Sequence, residues 1–284
     1  MTAASLSDAL RGGAEDLAAV SDTPRLDAEL LMAHALGCSR SDMLLAQREL
    51  VVPDGFADLV ARRGKHEPVA YITGMQAFWD LELTVTPDTL IPRSDSETLI
   101  EAAVAGFVSA TRLNILDLGT GSGALLLAAL SAFPLAHGLG VDASAAALVV
   151  ARGNAERLGF AERAAFAEAS WRDAGWVQAV GGTYDLILCN PPYVETMAAL
   201  APMVAEYEPH SALFAGSEGL DDYRVLIPAI PSLLAPGGIA IFEIGSAQGT
   251  AVTALARENG LEATLSFDLT GKPRALTLAR AHAA

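Results

Sequence analysis

Positive charge is scarce in this sequence. Against 34 Asp and Glu stand 18 Lys and Arg, giving a formal net charge of −16 over 284 residues, and Lys65 and Lys272 are its two lysines. Binding along a nucleic-acid backbone draws its affinity from clustered cations that displace phosphate counterions, so this balance argues against an extended nucleic-acid groove. The nearest approach to a basic patch, Arg62, Arg63 and Lys65, reads as the solvated end of a helix. Cysteine is equally sparse. Cys38 and Cys189 offer no disulfide framework and no thiolate cluster, and the 5 histidines fall at no helix-face ligand spacing, so no metal is expected. Long apolar runs are missing too. Residues 124–130 and 226–241 are too short, or too broken by Pro and Gly, to span a membrane. The N-terminus lacks a basic segment followed by an apolar one, which leads us to expect no signal peptide, no membrane partner and a cytoplasmic location. With 52% hydrophobic and 18% charged residues, the chain has ample material for a packed core.

The pattern along the chain changes twice. Residues 1–75 read as a small helical bundle. Thr23-Pro24 marks one start, followed by Leu26, Leu30, Leu31 and His34 at helical spacing and by Gly37 as the stop; Ser41-Asp42 and Pro53-Asp54 mark two more. Residues 76–92, with Phe78, Leu81, Leu83 and Val85 between turn residues, suggest a hairpin linker. From 93 to 284 strand-like and helix-like segments alternate. Ser94 and Glu97 have capping-box spacing, placing a helix from 94 to about 110. Strands are expected at 113–118, 138–142, 164–168, 184–189, 238–244, 261–267 and 274–280. Helices are expected at 123–132, 144–158, 219–234 and 246–259, the third kinked by Pro228 and Pro231. Such alternation predicts an α/β fold with a mostly parallel, seven-stranded sheet covered on both faces. The last two strands, with no helix between them, should pair antiparallel.

Three motifs in this second part carry chemistry. The first is Asp117-Leu-Gly-Thr-Gly-Ser-Gly123, where an apolar strand ends and Gly119, Thr120, Gly121, Ser122 and Gly123 lead into a helix. Glycine is needed where a ligand approaches bare backbone or φ is positive. The G-x-G-x-G spacing differs from the dinucleotide fingerprint and is similar to the loop with which class I methyltransferases hold S-adenosylmethionine. A tight packing turn or another nucleotide loop would look alike. The second is Asp142, at the end of the next strand and 25 residues beyond Asp117. It can accept hydrogen bonds from ribose hydroxyls or cap the helix beginning at Ser144, and its offset favours the ribose. Trp171, after the third strand, lies where an adenine ring would pack, although an indole serving only the core would also fit. The third motif is Asn190-Pro191-Pro192-Tyr193, again at a strand end. A planar amide or aromatic amine is a poor nucleophile because its lone pair is delocalised. The Asn190 side-chain oxygen and the Pro191 carbonyl can each accept one N–H of a target NH₂ and so fix and pyramidalise that nitrogen. Proline rings hold the carbonyl in place beforehand, and Tyr193 offers a flat face to a planar group. Cys189 reads as a small core residue.

With these motifs in view, the chain resembles the HemK/PrmC-type N5-glutamine methyltransferases, the family of the peptide chain release factor glutamine methyltransferases. The resemblance covers roughly residues 65–280. It extends to residues 67–74 (Glu-Pro-Val-Ala-Tyr-Ile-Thr-Gly), Phe78-Trp79, residues 90–93, Glu97, residues 208–216, Gly219-Leu220, Tyr223-Arg224, residues 234–238, residues 243–245 and Gln248. It implies a class I (Rossmann-like) methyltransferase domain after a helical domain and a hairpin linker. It implies S-adenosylmethionine as cofactor, with Asp117, the residues of the glycine loop, Asp142, Trp171 and Asn190 against it. The implied partner is a class I release factor, whose Gly-Gly-Gln glutamine would be held by Asn190, Pro191, Pro192 and Tyr193; the enzyme is expected to act as a monomer. One departure is visible: the family usually reads Arg-Pro, an acidic or small residue, Thr and Glu, where this chain has Arg93-Ser94-Asp95-Ser96-Glu97. Three other readings compete: a glutamine methyltransferase acting on a ribosomal protein, an adenine-N6 methyltransferase, and a cofactor-binding adaptor without activity. The net charge opposes the second, and both intact motifs oppose the third.

Overall fold

The computed structural model describes residues 5–268 and 270–281, so the outer limits of the expected domains, residues 1 and 284, lie outside the described residues. The chain gathers into two units, Met1–Met75 with Leu200–Tyr207, and Gln76–Ala199 with Glu208–Ala284. Among the described residues no helix is long and apolar enough to cross a membrane.

The first unit is built from α1 (Leu6–Leu17), α2 (Pro24–Leu36), α3 (Arg40–Leu45), α4 (Phe56–Arg63) and α5 (Val69–Thr73). Ser5 caps α1 by accepting the Asp8 N–H at 3.2 Å, and Gly37 ends α2 at φ +66°. α2 forms where the spacing placed it, and its buried face takes in only one of its spaced leucines. Leu26 and Leu30 are exposed, while Ala28, Leu31, Met32 and Ala33 are buried. Asp27 and Glu29 lie on the buried face, where cations meet them: Arg63 reaches Asp27 at 2.7 Å, and Arg25 and Arg40 reach Glu29 at 2.6 and 2.7 Å. The solvated basic end is therefore corrected at Arg63, which is buried and also donates to the Val20 carbonyl; Arg62 and Lys65 are exposed. The second and third expected helix starts shift slightly, α3 following its cap Ser39 and α4 beginning at Phe56.

The second unit opens with the two-stranded sheet of β1 (Met75–Phe78) and β2 (Leu81–Thr84). At its turn Trp79 takes φ +56°, unusual for a bulky side chain, and its N–H donates to Glu97 Oε1 at 2.9 Å. This bond explains a correction. The expected capping box at Ser94 does not form, because Glu97 is spent on Trp79. A 3-10 turn occupies Ser94–Ser96, and α6 runs over Glu97–Gly106, short of 110.

Beyond it lie β3 (Asn114–Leu118), α7 (Ala124–Ala132), β4 (His137–Asp142), α8 (Ala145–Arg157), β5 (Ala164–Glu168), α9 (Trp176–Val180), β6 (Tyr184–Cys189) and α10 (Pro202–Tyr207). They are followed by α11 (Asp221–Leu226), α12 (Ile230–Leu233), β7 (Leu234–Glu243), α13 (Gly249–Glu258), β8 (Leu261–Phe267) and β9 (Pro273–Arg280). α11 and α12 are the two halves of the kinked helix, joined by a 3-10 turn at Ile227–Ala229 that contains Pro228. α9 and α10 have no counterpart in the sequence reading, each being too short to show a period. The reading left 200–207 with the C-terminal part, yet α10 groups with the helical unit, where Tyr207 donates its hydroxyl to the Lys65 carbonyl at 2.9 Å.

Seven strands form one sheet in the order β5-β4-β3-β6-β7-β9-β8; β9 is antiparallel to both neighbours and the remaining pairs are parallel. Side chains alternate across it. Ile115, Leu186 and Leu188 enter one buried cluster with Leu99, Leu126 and Phe133. Leu116, Leu118, Ile187 and Cys189 enter the other, with Tyr223 and Ile230. Burial on both faces is why these strands read as continuous apolar runs. From β3 the sheet grows one way through β4 and β5, and from β6 the other way through β7. The crevice of a doubly wound sheet therefore opens where β3 and β6 end side by side.

Candidate active site

The loop after β3 is shaped by its glycines. Gly119 and Gly121 take φ of +75° and +54°, and the N–H groups of Gly119 and Thr120 both donate to the Val141 carbonyl at 2.9 Å. A Cβ on Gly119 would come within 3.1 Å of Trp171 Cη2, so a bare backbone is required where the indole lies against it. Gly123 ends the loop at φ +85° and starts α7. Asp117 stands behind the loop, fully buried. Its Oδ2 accepts from Thr120 Oγ1 at 2.6 Å and from the Leu126 N–H at 3.3 Å, while Oδ1 has no partner among the described residues. Burial pushes its carboxyl up to about 7, against the pull of those two bonds.

Asp142 holds the turn into α8 and the glycine loop together. Oδ1 accepts the Ser144 N–H and Oδ2 the Gly121 N–H, each at 2.8 Å, while Ser144 itself caps α8 by accepting from Ala147. Each carboxylate oxygen keeps a further lone pair. Trp171 is held at its polar edge: Nε1–H donates to Asp222 Oδ1 at 2.6 Å, and Asp222, almost fully buried, also accepts from Arg172 at 3.1 Å.

At the end of β6 the Asn190 amide Nδ2 donates to Ser96 Oγ at 3.4 Å. Ser96 in turn donates to Glu243 Oε2, and Tyr193 donates its hydroxyl to Glu243 Oε1 at 3.1 Å. Glu243 is 1% exposed, and burial raises its carboxyl, opposed by these hydroxyl bonds and by Arg274. Burial first, then the Glu243 charge, pushes the Tyr193 hydroxyl up, so it stays a neutral donor. Gln248 secures the loop from behind. Its Nε2 donates to the carbonyls of Tyr193 and Gly219, and its Oε1 accepts the Gly245 N–H, all at 3.0 Å. Arg93 pairs with the buried Glu208, which also accepts the Ile91 N–H.

These elements enclose a cleft of about 370 Å³. Gly119, Thr120, Gly121, Ser122, Asp142, Trp171, Asn190 and Pro192 line it, together with Ser96. Asp117, Gly123, Pro191 and Tyr193 are not in its wall: the first two support the loop, Pro191 is buried, and the Tyr193 hydroxyl turns to Glu243. Tyr193 braces the loop through its hydroxyl. Cys189 is buried and its thiol is pushed well above the ordinary range, chiefly by desolvation, which suits a core residue. Sequence reasoning gave no role to Ser96, Asp222 or Glu243. A groove of about 650 Å³ in the helical unit, lined by residues such as Phe56 and Val60, has Asp16 and Asp54 as its ionisable members and no convergence of polar groups.

A family model described as the PrmC N-terminal domain matches residues 8–74, and one described as a methyltransferase domain matches residues 110–243. The release factor glutamine methyltransferase of Rhodospirillum rubrum is 44% identical over 269 residues, spanning 93% of this chain and 81% of that protein. The release factor glutamine methyltransferase of Cereibacter sphaeroides is 42% identical over 274 residues, spanning 94% and 95%. Among solved structures, a methyltransferase from Pyrococcus furiosus has a TM-score of 0.52 at 17% identity, covering 78% of this chain and 97% of that one, a likeness of fold.

Proposed function

The chain belongs to the release factor glutamine methyltransferases, and on that footing we propose that it moves a methyl group from S-adenosylmethionine to the side-chain amide nitrogen (N5) of the Gly-Gly-Gln glutamine in a class I peptide chain release factor. The observation that carries this reading is that the glycine loop, Asp142 and Asn190 share one cleft at the ends of adjoining strands. The net charge of −16 favours a protein substrate over a nucleic acid.

The residues present fit the cofactor. Gly119 and Gly121 expose backbone that a Cβ would obstruct or strain, Asp142 has lone pairs left for ribose hydroxyls, and Trp171 presents a fixed indole for the adenine. When bound, S-adenosylmethionine supplies an electrophilic methyl on a positively charged sulfur. Asn190 Oδ1 and the Pro191 carbonyl accept the two N–H groups of the substrate amide, hold its nitrogen and favour a pyramidal lone pair. The amide nitrogen that takes the methyl would become positively charged and would release one proton to solvent water. Asn190 lines the cleft beforehand, so little reorganisation of its amide accompanies the step.

Incubation with a class I release factor and methyl-labelled S-adenosylmethionine should place label on the Gly-Gly-Gln glutamine, read by mass spectrometry. Asn190→Ala should bind cofactor within a few-fold of the parent yet lose about 100-fold in turnover, the scale for one preorganised polar group. Label on adenine or on a ribosomal protein instead, with the release factor unmodified, would overturn the assignment.

A further inference from the structure

The two ends of a carboxamide are nearly the same shape and opposite in chemistry. If Asn190 offered its NH₂ to the substrate NH₂, donor would meet donor and the clamp would fail. Something must choose the end. We infer that Ser96 and Glu243 are positioning residues that set the direction of the Asn190 amide; the inference rests on the clamp described above and adds to it the machinery that orients it.

The argument runs outward from the buried carboxylate. An ionised carboxylate only accepts hydrogen bonds. Glu243 takes the Tyr193 hydroxyl on Oε1 and the Ser96 hydroxyl on Oε2, and it is almost wholly withdrawn from water. With its single proton committed to Glu243, Ser96 Oγ can only accept from any other neighbour. That neighbour is Asn190, which donates through Nδ2 at 3.4 Å. The donor end of the amide is thereby engaged, leaving Oδ1 for the target nitrogen. Each link runs in one direction, so Glu243, accepting at the end of the relay, fixes the polarity of a group with which it makes no direct bond. The backbone secures both ends of the relay: Ser96 closes the 3-10 turn before α6, and the Glu243 carbonyl accepts the Tyr223 hydroxyl at 2.8 Å at the end of β7. Ser96 is also part of the cleft wall and is 3% exposed.

Three variants test the relay in the full chain with a class I release factor as substrate. Ser96→Ala should lower kcat on the order of tenfold, the worth of one ordinary hydrogen bond, with cofactor Kd unchanged within about threefold. Ser96→Thr, which keeps the hydroxyl, should restore most of the rate. Glu243→Gln keeps shape but lets an NH₂ donate to Ser96; that frees the serine proton to turn toward Asn190, so kcat should fall at least as far as in Ser96→Ala. In an Asn190→Ala background, Ser96→Ala should cost nothing further, because nothing is left to orient. The inference is overturned if Ser96→Ala keeps the parental kcat while Asn190→Ala loses it, or if the two losses add. Parental turnover by Asn190→Ala would instead overturn the clamp itself, and the relay with it.

Discussion

Asp117→Asn is expected to make the folded chain more stable at mildly alkaline pH. The parent buries a carboxyl whose folded pKa is pushed up to about 7 from the ordinary 3.8, with one oxygen lacking any partner among the described residues. This is the reverse of the usual acidic residue. Between those two values the folded state holds a proton that the unfolded state has released, so stability falls as pH rises through that window, and the full penalty applies above it. At about 1.4 kcal/mol per pKa unit, the penalty approaches about 4 kcal/mol near pH 8 and is about 2 kcal/mol near pH 5.5. Asparagine carries no charge, and its oxygen can accept from Thr120 and Leu126 as Oδ2 does now. Its NH₂ inherits the unpartnered position, at about 1–3 kcal/mol. The net is a gain of about 1–3 kcal/mol near pH 8 that shrinks by about 2 kcal/mol near pH 5.5. Urea unfolding of both proteins at the two pH values, without cofactor, measures it. A difference between variant and parent that does not change with pH would refute the reasoning, since only the titration of a buried acid produces the dependence.

Two further substitutions separate the halves of the cleft. In Gly219→Ala, with φ at +66°, the new Cβ would overlap the Tyr193 carbonyl and lie 2.6 Å from Gln248 Nε2. It should cost more than tenfold in turnover, by displacing the loop that bears Asn190, while calorimetry finds cofactor affinity nearly unchanged; intact turnover would show that the loop yields freely. Asp142→Ala takes acceptors from the ribose and from the N–H groups of Gly121 and Ser144. It should raise the cofactor Kd about 30-fold or more, at about 1.5–3 kcal/mol for each hydrogen bond to a charged group. An unchanged Kd in titration calorimetry would remove Asp142 from the cofactor site.

Much of this was legible in the chain because it is local. β3 and β6 are buried on both faces and announce themselves as apolar runs, and the chemistry sits in the few residues after each. Gly119, Gly121, Asp142 and Asn190 come together because parallel strands deliver their ends to one edge of the sheet. What escaped the sequence reading is polar and distant. Ser96 and Glu243 are 147 positions apart, Trp171 and Asp222 are 51 apart, and Arg63 and Asp27 are 36 apart. Such pairs leave no period, and each partner alone resembles a solvated residue. The misjudged cap at Ser94 has the same cause, since Glu97 had a stronger claim on it from Trp79, 18 residues away.

The boundary between β3 and β6 also divides labour. Under the proposed function, cofactor contacts come from the β3–β4 side and the amide clamp from β6, with Gln248 tying the loop after β6 to the ends of β7 and of the loop before α11. Substitution histories on the two sides are therefore free to run separately. A lineage can keep one methyl donor unchanged while the connection following β6 drifts toward new recipients.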